Sequence, residues 1–356
     1  MEENTTPNNP APAHPNQEAD GVAPQPTTTQ TDAPHTVSAG NGNHFVGTVF
    51  QRVKEQIQHI VIGNDPLIEL IMTGMFSGGH ILIEGVPGVA KTLTAKLIAK
   101  CMQINFTRIQ FTPDLMPSDI IGTNIFHMQR SEFEFRKGPL FSNLVLVDEI
   151  NRAPAKTQSA LFEVMEERQI TLDGVTRVLP LPFFVIATQN PVEHEGIYKL
   201  PEAQLDRFLF KLIVGYPNLE EESKILKRFR EDFNMQILED IKAVASSDDI
   251  LKCMKLVESV HIKDDLLDYI AKIVYETRNN SDLYLGGSPR ASLAIMKTSK
   301  AIAAIRGRDF VTPDDIQTVC HPVLNHRIIM APEKEIEGVT TMDVISDIIR
   351  NIEVPR

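Results

Sequence analysis

The stretch Ile81-Leu82-Ile83-Glu84-Gly85-Val86-Pro87-Gly88-Val89-Ala90-Lys91-Thr92 constrains the fold more than any other part of the chain. A continuous apolar run, a glycine-bearing turn and a Lys-Thr pair opening a helix make a strand-turn-helix unit whose turn is shaped to hold a phosphate. Glycines let backbone N–H groups curl around an anion, and the following helix points its positive end at the same place. In such a cradle Lys91 reaches the β- and γ-phosphates of a nucleotide, and Thr92 offers a hydroxyl to Mg²⁺. The usual G-x-x-x-x-G-K-[ST] spacing is broken once: Ala90 stands where the second glycine belongs, and a glycine stands instead at Gly88. Alanine is expected there only with a negative φ, because the left-handed region favours glycine. Taken alone, the stretch is also compatible with an ordinary strand-turn-helix connection.

The rest of the chain narrows the choice. Its 356 residues are enough for two domains. A formal net charge of −12 argues against nucleic acid as the main partner, since neutralising phosphates needs clustered Lys and Arg. Cys101, Cys253 and Cys320 are far apart, odd in number and without CxxC spacing, which reads as free thiols in a reducing compartment with no metal site among them. The N-terminus lacks a basic-then-apolar leader, and no run approaches the ~20 apolar residues needed to span a bilayer. A cytoplasmic protein with no transmembrane segment is expected.

Residues 1–43 contain no Lys or Arg, five acidic residues, seven prolines and no aromatic side chain. Such a segment buries too little apolar surface to offset its chain entropy, so a disordered tail is expected there. Periodic apolar sequence starts at Phe45 and predicts a helix through Val53, Ile57 and Ile60, then a second helix from Pro66. From residue 81 onward, continuous apolar runs at 81–84, 107–111, 144–147, 183–187 and 208–214 alternate with helical patterns. That rhythm predicts an α/β fold, a parallel five-stranded sheet buried on both faces in a domain spanning 44–216. Two β-hairpins interrupt it, at 125–140 and at 169–179, the second turned at Asp173-Gly174. After Tyr216-Pro217 only helical periodicity is expected, giving a smaller all-helical domain over 217–356, with helix starts at Pro289 and at Thr312-Pro313-Asp314-Asp315.

Fifty-seven residues after Lys91, the apolar run 144–147 ends in Asp148-Glu149. A carboxylate at the C-terminal end of a parallel strand beside a phosphate loop is where Mg²⁺ is held, and a second can polarise an attacking water. Asp148 is assigned to the metal with Thr92, and Glu149 to the water. The next apolar run ends at Gln189-Asn190-Pro191, where the Asn190 amide is placed either to touch the water or γ-phosphate or simply to make a turn. Arg207, in Leu205-Asp206-Arg207-Phe208, and Arg290, after Gly286-Gly287-Ser288-Pro289, are permanent cations able to stabilise phosphate charge or clamp a nucleotide between domains. Solvated surface charge is the alternative for each.

In this order the pieces resemble the AAA+ ATPases, and among them the MoxR family. The likeness rests on residues 85–92 with Ala90 in place of glycine, and on 108–119, 147–153, 187–191 and 201–208, and it covers roughly 45–350. It implies an αβα P-loop core followed by a helical lid. It also implies that Gly85, Val86, Pro87, Gly88, Val89, Ala90, Lys91, Thr92 and Leu93 contact ATP, with Val61, Ile62 and Gly63 against the adenine. By the same likeness Asp148 and Glu149 are the Walker B pair, Asn190 the first sensor, Arg207 an arginine finger acting in trans and Arg290 the second sensor. A homo-oligomer, a hexameric ring, is implied as well. Its Mg²⁺-dependent ATP hydrolysis would drive chaperone-like remodelling of protein clients or metal-cofactor insertion, with a von Willebrand factor A domain protein as a possible partner. Two other readings remain at this stage: a nucleic-acid motor, and a scaffold that binds ATP without turning it over.

Overall fold

A computed structural model describes residues 39–190, 198–230 and 240–355. Most of the expected disordered tail lies outside these residues, but its last five positions do not. Helix α1 spans Ala39–Gln58, so it begins six residues before the first apolar position, Phe45. Once a helix is nucleated by buried residues, extending it by a turn adds one hydrogen bond per residue fixed, which periodicity cannot register. Helix α2 (Asp65–Phe76) follows, with Pro66 in its first turn.

The chain then runs through β1 (His80–Gly85), α3 (Lys91–Cys101), β2 (Phe106–Gln110) and α4 (Pro117–Ile121). A hairpin of β3 (Gly122–His127) and β4 (Glu132–Lys137) comes next, followed by β5 (Leu144–Asp148) and α5 (Ala155–Glu167). A second hairpin of β6 (Gln169–Leu172) and β7 (Val175–Val178) leads to β8 (Phe184–Gln189), α6 (Glu202–Leu205) and β9 (Phe208–Val214). Five of these strands form one parallel sheet in the order β2-β5-β8-β1-β9. Side chains alternate between its faces: Ile81, Ile83, Leu144, Leu146 and Ile186 enter one apolar cluster, and Leu82, Val145, Val147, Val185 and Ala187 the other. Both faces of the inner strands β1, β5 and β8 are covered, which is why those strands read as apolar runs, whereas the edge strand β2 exposes Arg108 and Gln110. The first hairpin starts at Gly122 rather than at 125 and ends at Lys137. Its strand β3 follows directly on α4, where the polar residues Thr123 and Asn124 hid it. The two hairpins are tied together, since Asn124 donates to Asp173 and the Arg177 guanidinium lies 3.9 Å from the Phe135 ring centre.

Beyond β9 lie α7 (Leu219–Phe229), α8 (Ser247–Glu258), α9 (Asp264–Asn279), β10 (Leu283–Leu285), α10 (Pro289–Ile305) and α11 (Pro313–Leu324). The chain closes with β11 (Ile329–Met330), α12 (Pro332–Ile336) and α13 (Thr341–Asn351). Among the described residues this segment is helical apart from one short ladder, in which β10 pairs antiparallel with β11, and an isolated bridge between His261 and Phe310. Three- and two-residue strands carry too little alternation to be seen in sequence. Helices α8 and α10 pack on α1 and α2, so one apolar cluster runs from Val46 and Ile71 through Ile295 to Ile345. The three thiols are all buried, Cys101 pushed up to about 11 and Cys253 and Cys320 to about 12 by desolvation.

Candidate functional site

The carboxyl ends of β1, β5 and β8 lie side by side, and the loop after each carries a predicted site residue. In open parallel sheets such an edge is where ligands bind. After β1, Gly85 is pinned against β9: a Cβ there would stand 2.5 Å from the Val214 carbonyl oxygen. Gly88 has φ +86° with open space around it, as a backbone curling around an anion requires. Ala90 corrects the expectation made for it, because its φ is 57° and ψ 19°, in the left-handed region. Alanine tolerates this conformation at a cost of roughly 1–2 kcal/mol. The helix behind it, α3, holds the residue in place through bonds to the Ala90 carbonyl from the Thr94 backbone N–H at 2.9 Å and the Thr94 hydroxyl at 3.0 Å.

Lys91 donates from Nζ to the Gly85 carbonyl at 2.6 Å, arching across its own loop. Burial draws this ammonium below its ordinary pKa, while Asp148 and Glu149 pull it back up, so both carboxylates face the loop. Thr92 occupies the next helical position, half-buried. At the end of β5, one strand removed from β1, Asp148 accepts from the Thr188 hydroxyl on Oδ1 and from Arg108 on Oδ2, with Arg108 Nη2 at 2.7 Å and Nε at 3.0 Å. The Glu149 backbone is left-handed too (φ 57°, ψ 52°), and its N–H donates to Thr188 Oγ1 at 3.0 Å. Its carboxylate Oε2 accepts from Gln110 Nε2 at 2.6 Å and pairs with Arg152 Nε at 3.2 Å. Asn190 follows directly on β8, beside this pair. Strained non-glycine backbone at Ala90 and Glu149 brackets the same site, the kind of outlier that clusters at functional positions.

Sequence reasoning missed Arg108, Gln110, Arg152 and Thr188. The first two alternate on β2, with Gln110 in register with Asp148, so a polar i, i+2 pair on an otherwise apolar strand was the available signal. A cavity of about 630 Å³ opens beside the loop, lined by Ile62, Gly63, Val89, Ala90 and Leu93 on one side and by His321, Pro322, Asn325 and Met342 from the helical segment on the other. Gly63 has φ +83°, a conformation that favours glycine, and lies under the Glu221 carboxylate.

The two other predicted residues are elsewhere. Arg207 precedes β9, whose Phe208 pairs with His80 at the start of β1 and whose Val214 pairs with Gly85 at its end. At about 3.3 Å per residue, the length of β9 puts Arg207 roughly 20 Å from the phosphate loop. It donates to the Phe162 carbonyl at 2.9 Å and lies 3.7 Å from Glu166 Oε2. Arg290, at the start of α10, lies 3.4 Å from Glu166 Oε1. Its position between domains left open whether it serves this chain's own nucleotide or a neighbour's; within this chain it stands on Glu166, at the far end of the sheet. The helical segment approaches the loop with α11, while α10 turns its N-terminus to the opposite end of the sheet.

A strand-loop-helix cradle, a carboxylate pair at the end of β5, one strand removed from β1 across β8, and a helical cover define a P-loop ATPase fold with a lid. Residues 80–210 match the ATPase family associated with various cellular activities (AAA), and residues 275–348 match the AAA lid domain. The chain is 44% identical over 301 residues to protein YeaC of Bacillus subtilis, covering 85% of this chain and 93% of that one. It is 43% identical over 316 residues to Chaperone MoxR1 of Mycobacterium tuberculosis, covering 86% and 82% respectively. A crystallised protein from Cytophaga hutchinsonii superposes with a TM-score of 0.82 at 41% identity, over 89% of this chain and 98% of its own. The chain belongs to the MoxR family of AAA+ ATPases.

Proposed function

We propose that this chain hydrolyses ATP as one subunit of a ring, a hexamer, in which each site is finished by its neighbour. The observation that carries this reading is the separation of Arg207 and Arg290 from their own phosphate loop, with both arginines together at the far end of the sheet. ATP sits with its phosphates in the 85–93 turn and its base in the cavity between Ile62, Gly63 and the lid. Thr92 and Asp148 fit a Mg²⁺ site: one hydroxyl and one carboxylate, the latter paired with Arg108, match a cation that takes few protein ligands alongside substrate phosphates. Bound there, the metal supplies charge neutralisation at the β- and γ-phosphates.

Lys91 carries the second positive charge to the same oxygens, exchanging the Gly85 carbonyl for phosphate. Glu149, oriented by Gln110 and Arg152, takes the proton of the attacking water, and Asn190 fixes that water. Arg207 and Arg290 of the adjoining subunit meet the γ-phosphate, so turnover depends on assembly and phosphate loss reshapes the interface.

The output is remodelling of protein clients, with metal-cofactor insertion and a von Willebrand factor A domain partner as the family-level forms of that task. A relative named as a chaperone supports it. So do the linked hairpins, which expose Phe126, Met128 and Phe133 while Arg130 pairs with Glu132 and Lys137 lies over Phe141. Exposed apolar tips suit a polypeptide better than nucleic acid. A cytoplasmic location is in keeping with the buried free thiols, and among the described residues no helix is long and apolar enough to cross a membrane.

Mixing Arg207→Ala with Lys91→Ala subunits tests the shared site. Each variant alone is expected to be inactive and the mixture to regain ATPase activity. No recovery, with subunit exchange verified, removes the proposal.

A further inference from the structure

The two arginines at the far end of the sheet are not independent. Asp206, the residue before Arg207, accepts from Arg327 Nε on Oδ1 at 2.7 Å and from the Ser288 hydroxyl on Oδ2 at 3.2 Å. Ser288 is the N-cap of α10, two residues before Arg290, and its hydroxyl does not cap its own helix. An N-cap serine ordinarily gives its oxygen to its own first-turn N–H groups, so directing this one to Asp206 forgoes local helix stability for a contact across the fold.

Arg327 is almost fully buried, and it also donates to the carbonyls of Phe208 at 2.6 Å and Leu209 at 3.1 Å at the start of β9. Its neighbours continue the seam, with His326 Nε2 3.0 Å from the Phe208 carbonyl and Asn325 donating to the Lys211 carbonyl at 2.9 Å. Since β9 is an edge strand, this lid segment covers the edge beside Arg207. In front of the seam one carboxylate, Glu166, takes Arg207 on one oxygen and Arg290 on the other. Arg168 and the exposed Lys297 border the same hollow, so cations outnumber carboxylates around it.

We propose that Asp206 is a positioning residue: by gripping Ser288 and Arg327 of the lid at once, it sets Arg207 and Arg290 as one rigid two-pronged fork for the γ-phosphate held by a neighbouring copy of this chain. Glu166 keeps the fork's spacing, its two oxygens occupying the place of two phosphate oxygens. This rests on the shared-site reading proposed above and adds that finger and lid arginine act as a unit because one carboxylate ties their backbones. Its physical basis is that a misplacement of about 1 Å costs on the order of 10²-fold in rate even when every reacting group remains.

The test uses the full chain and compares Asp206→Asn and Ser288→Ala with Arg207→Ala. Asp206→Asn leaves the buried Arg327 without its charge partner and is the harsher change; Ser288→Ala removes only the serine hydroxyl's bond to Asp206 and leaves the Arg327 pair in place. We expect both to lower kcat, Asp206→Asn by roughly 10²-fold and Ser288→Ala by roughly tenfold, with the KM for ATP within about twofold and Ser288→Ala melting as wild type. Mixing Asp206→Asn with Lys91→Ala subunits is expected to restore activity, because the first keeps a sound phosphate loop and the second a sound fork. Wild-type kcat in a folded Ser288→Ala protein overturns the proposal. So does failure of the Asp206→Asn mixture where the Arg207→Ala mixture recovers. If the Arg207→Ala mixture itself fails, the shared site is lost and the fork with it.

Discussion

Gln110 donates from Nε2 to Glu149 Oε2 at 2.6 Å, reaching from the end of β2 to the carboxylate at the end of β5. With Arg152 on the same oxygen, the carboxylate is held from two sides, and its strained backbone is fixed by Thr188. A proton acceptor must be aimed before it is useful, and this contact aims it.

Gln110→Ala is therefore expected to lower kcat by about tenfold, a fraction of the roughly 10²–10⁴-fold attributable to a general base, while leaving ATP affinity within about twofold. Steady-state ATPase assays and a nucleotide-binding titration read the two quantities separately. A wild-type kcat would mean the contact has no part in presenting Glu149.

His80 predicts a pH dependence of stability. Its ring is buried, Nδ1 accepts from the Val185 N–H at 3.0 Å, and Nε2 donates to the Met165 carbonyl at 3.1 Å, so both positions are taken in the neutral tautomer. Desolvation lowers its pKa to about 4. Below the unfolded value of about 6.5 the unfolded chain binds a proton that the folded chain refuses, so stability falls with pH between about 6.5 and 4. The loss is expected to be roughly 2 kcal/mol between pH 7 and pH 5 from this residue, at about 1.4 kcal/mol per pH unit. His326, buried against Arg327, adds in the same direction. Urea unfolding at the two pH values measures it, and a flat profile contradicts it.

Ala90 predicts an asymmetry between substitutions. Ala90→Gly relieves a left-handed alanine but frees the unfolded chain, so stability is expected to stay within about 1 kcal/mol of wild type. Ala90→Val places a β-branched side chain at φ 57°, where it is a true outlier, and is expected to cost more than about 1 kcal/mol and to weaken ATP binding. Unfolding and nucleotide titration of the pair check this. A valine variant as stable and as tight as wild type would mean the loop does not hold this conformation.

The sheet was legible because its inner strands are buried on both faces, and residues such as Leu144-Val145-Leu146-Val147 have no other way to be satisfied in a folded chain. The phosphate loop and the Asp148-Glu149 pair were legible for a related reason: their chemistry needs particular residue types at contiguous positions, and contiguity is what a sequence displays. The left-handed backbone of Ala90 was not, since a residue's name bounds its φ without choosing it. Nor were the short strands β10 and β11, or the earlier start of α1, which depend on pairing and propagation rather than on local pattern.

What only the tertiary structure decided is where distant residues stand relative to one another. Sequence order makes Arg207 and Arg290 two arginines 83 residues apart, the first expected to act in trans and the second with no side assigned. The direction of β9 and the docking of the lid through Asp206, Ser288 and Arg327 carry both to the far end of the sheet, onto Glu166. Local chemistry is written along the chain, whereas distances across it follow from how buried surfaces and buried charges find partners.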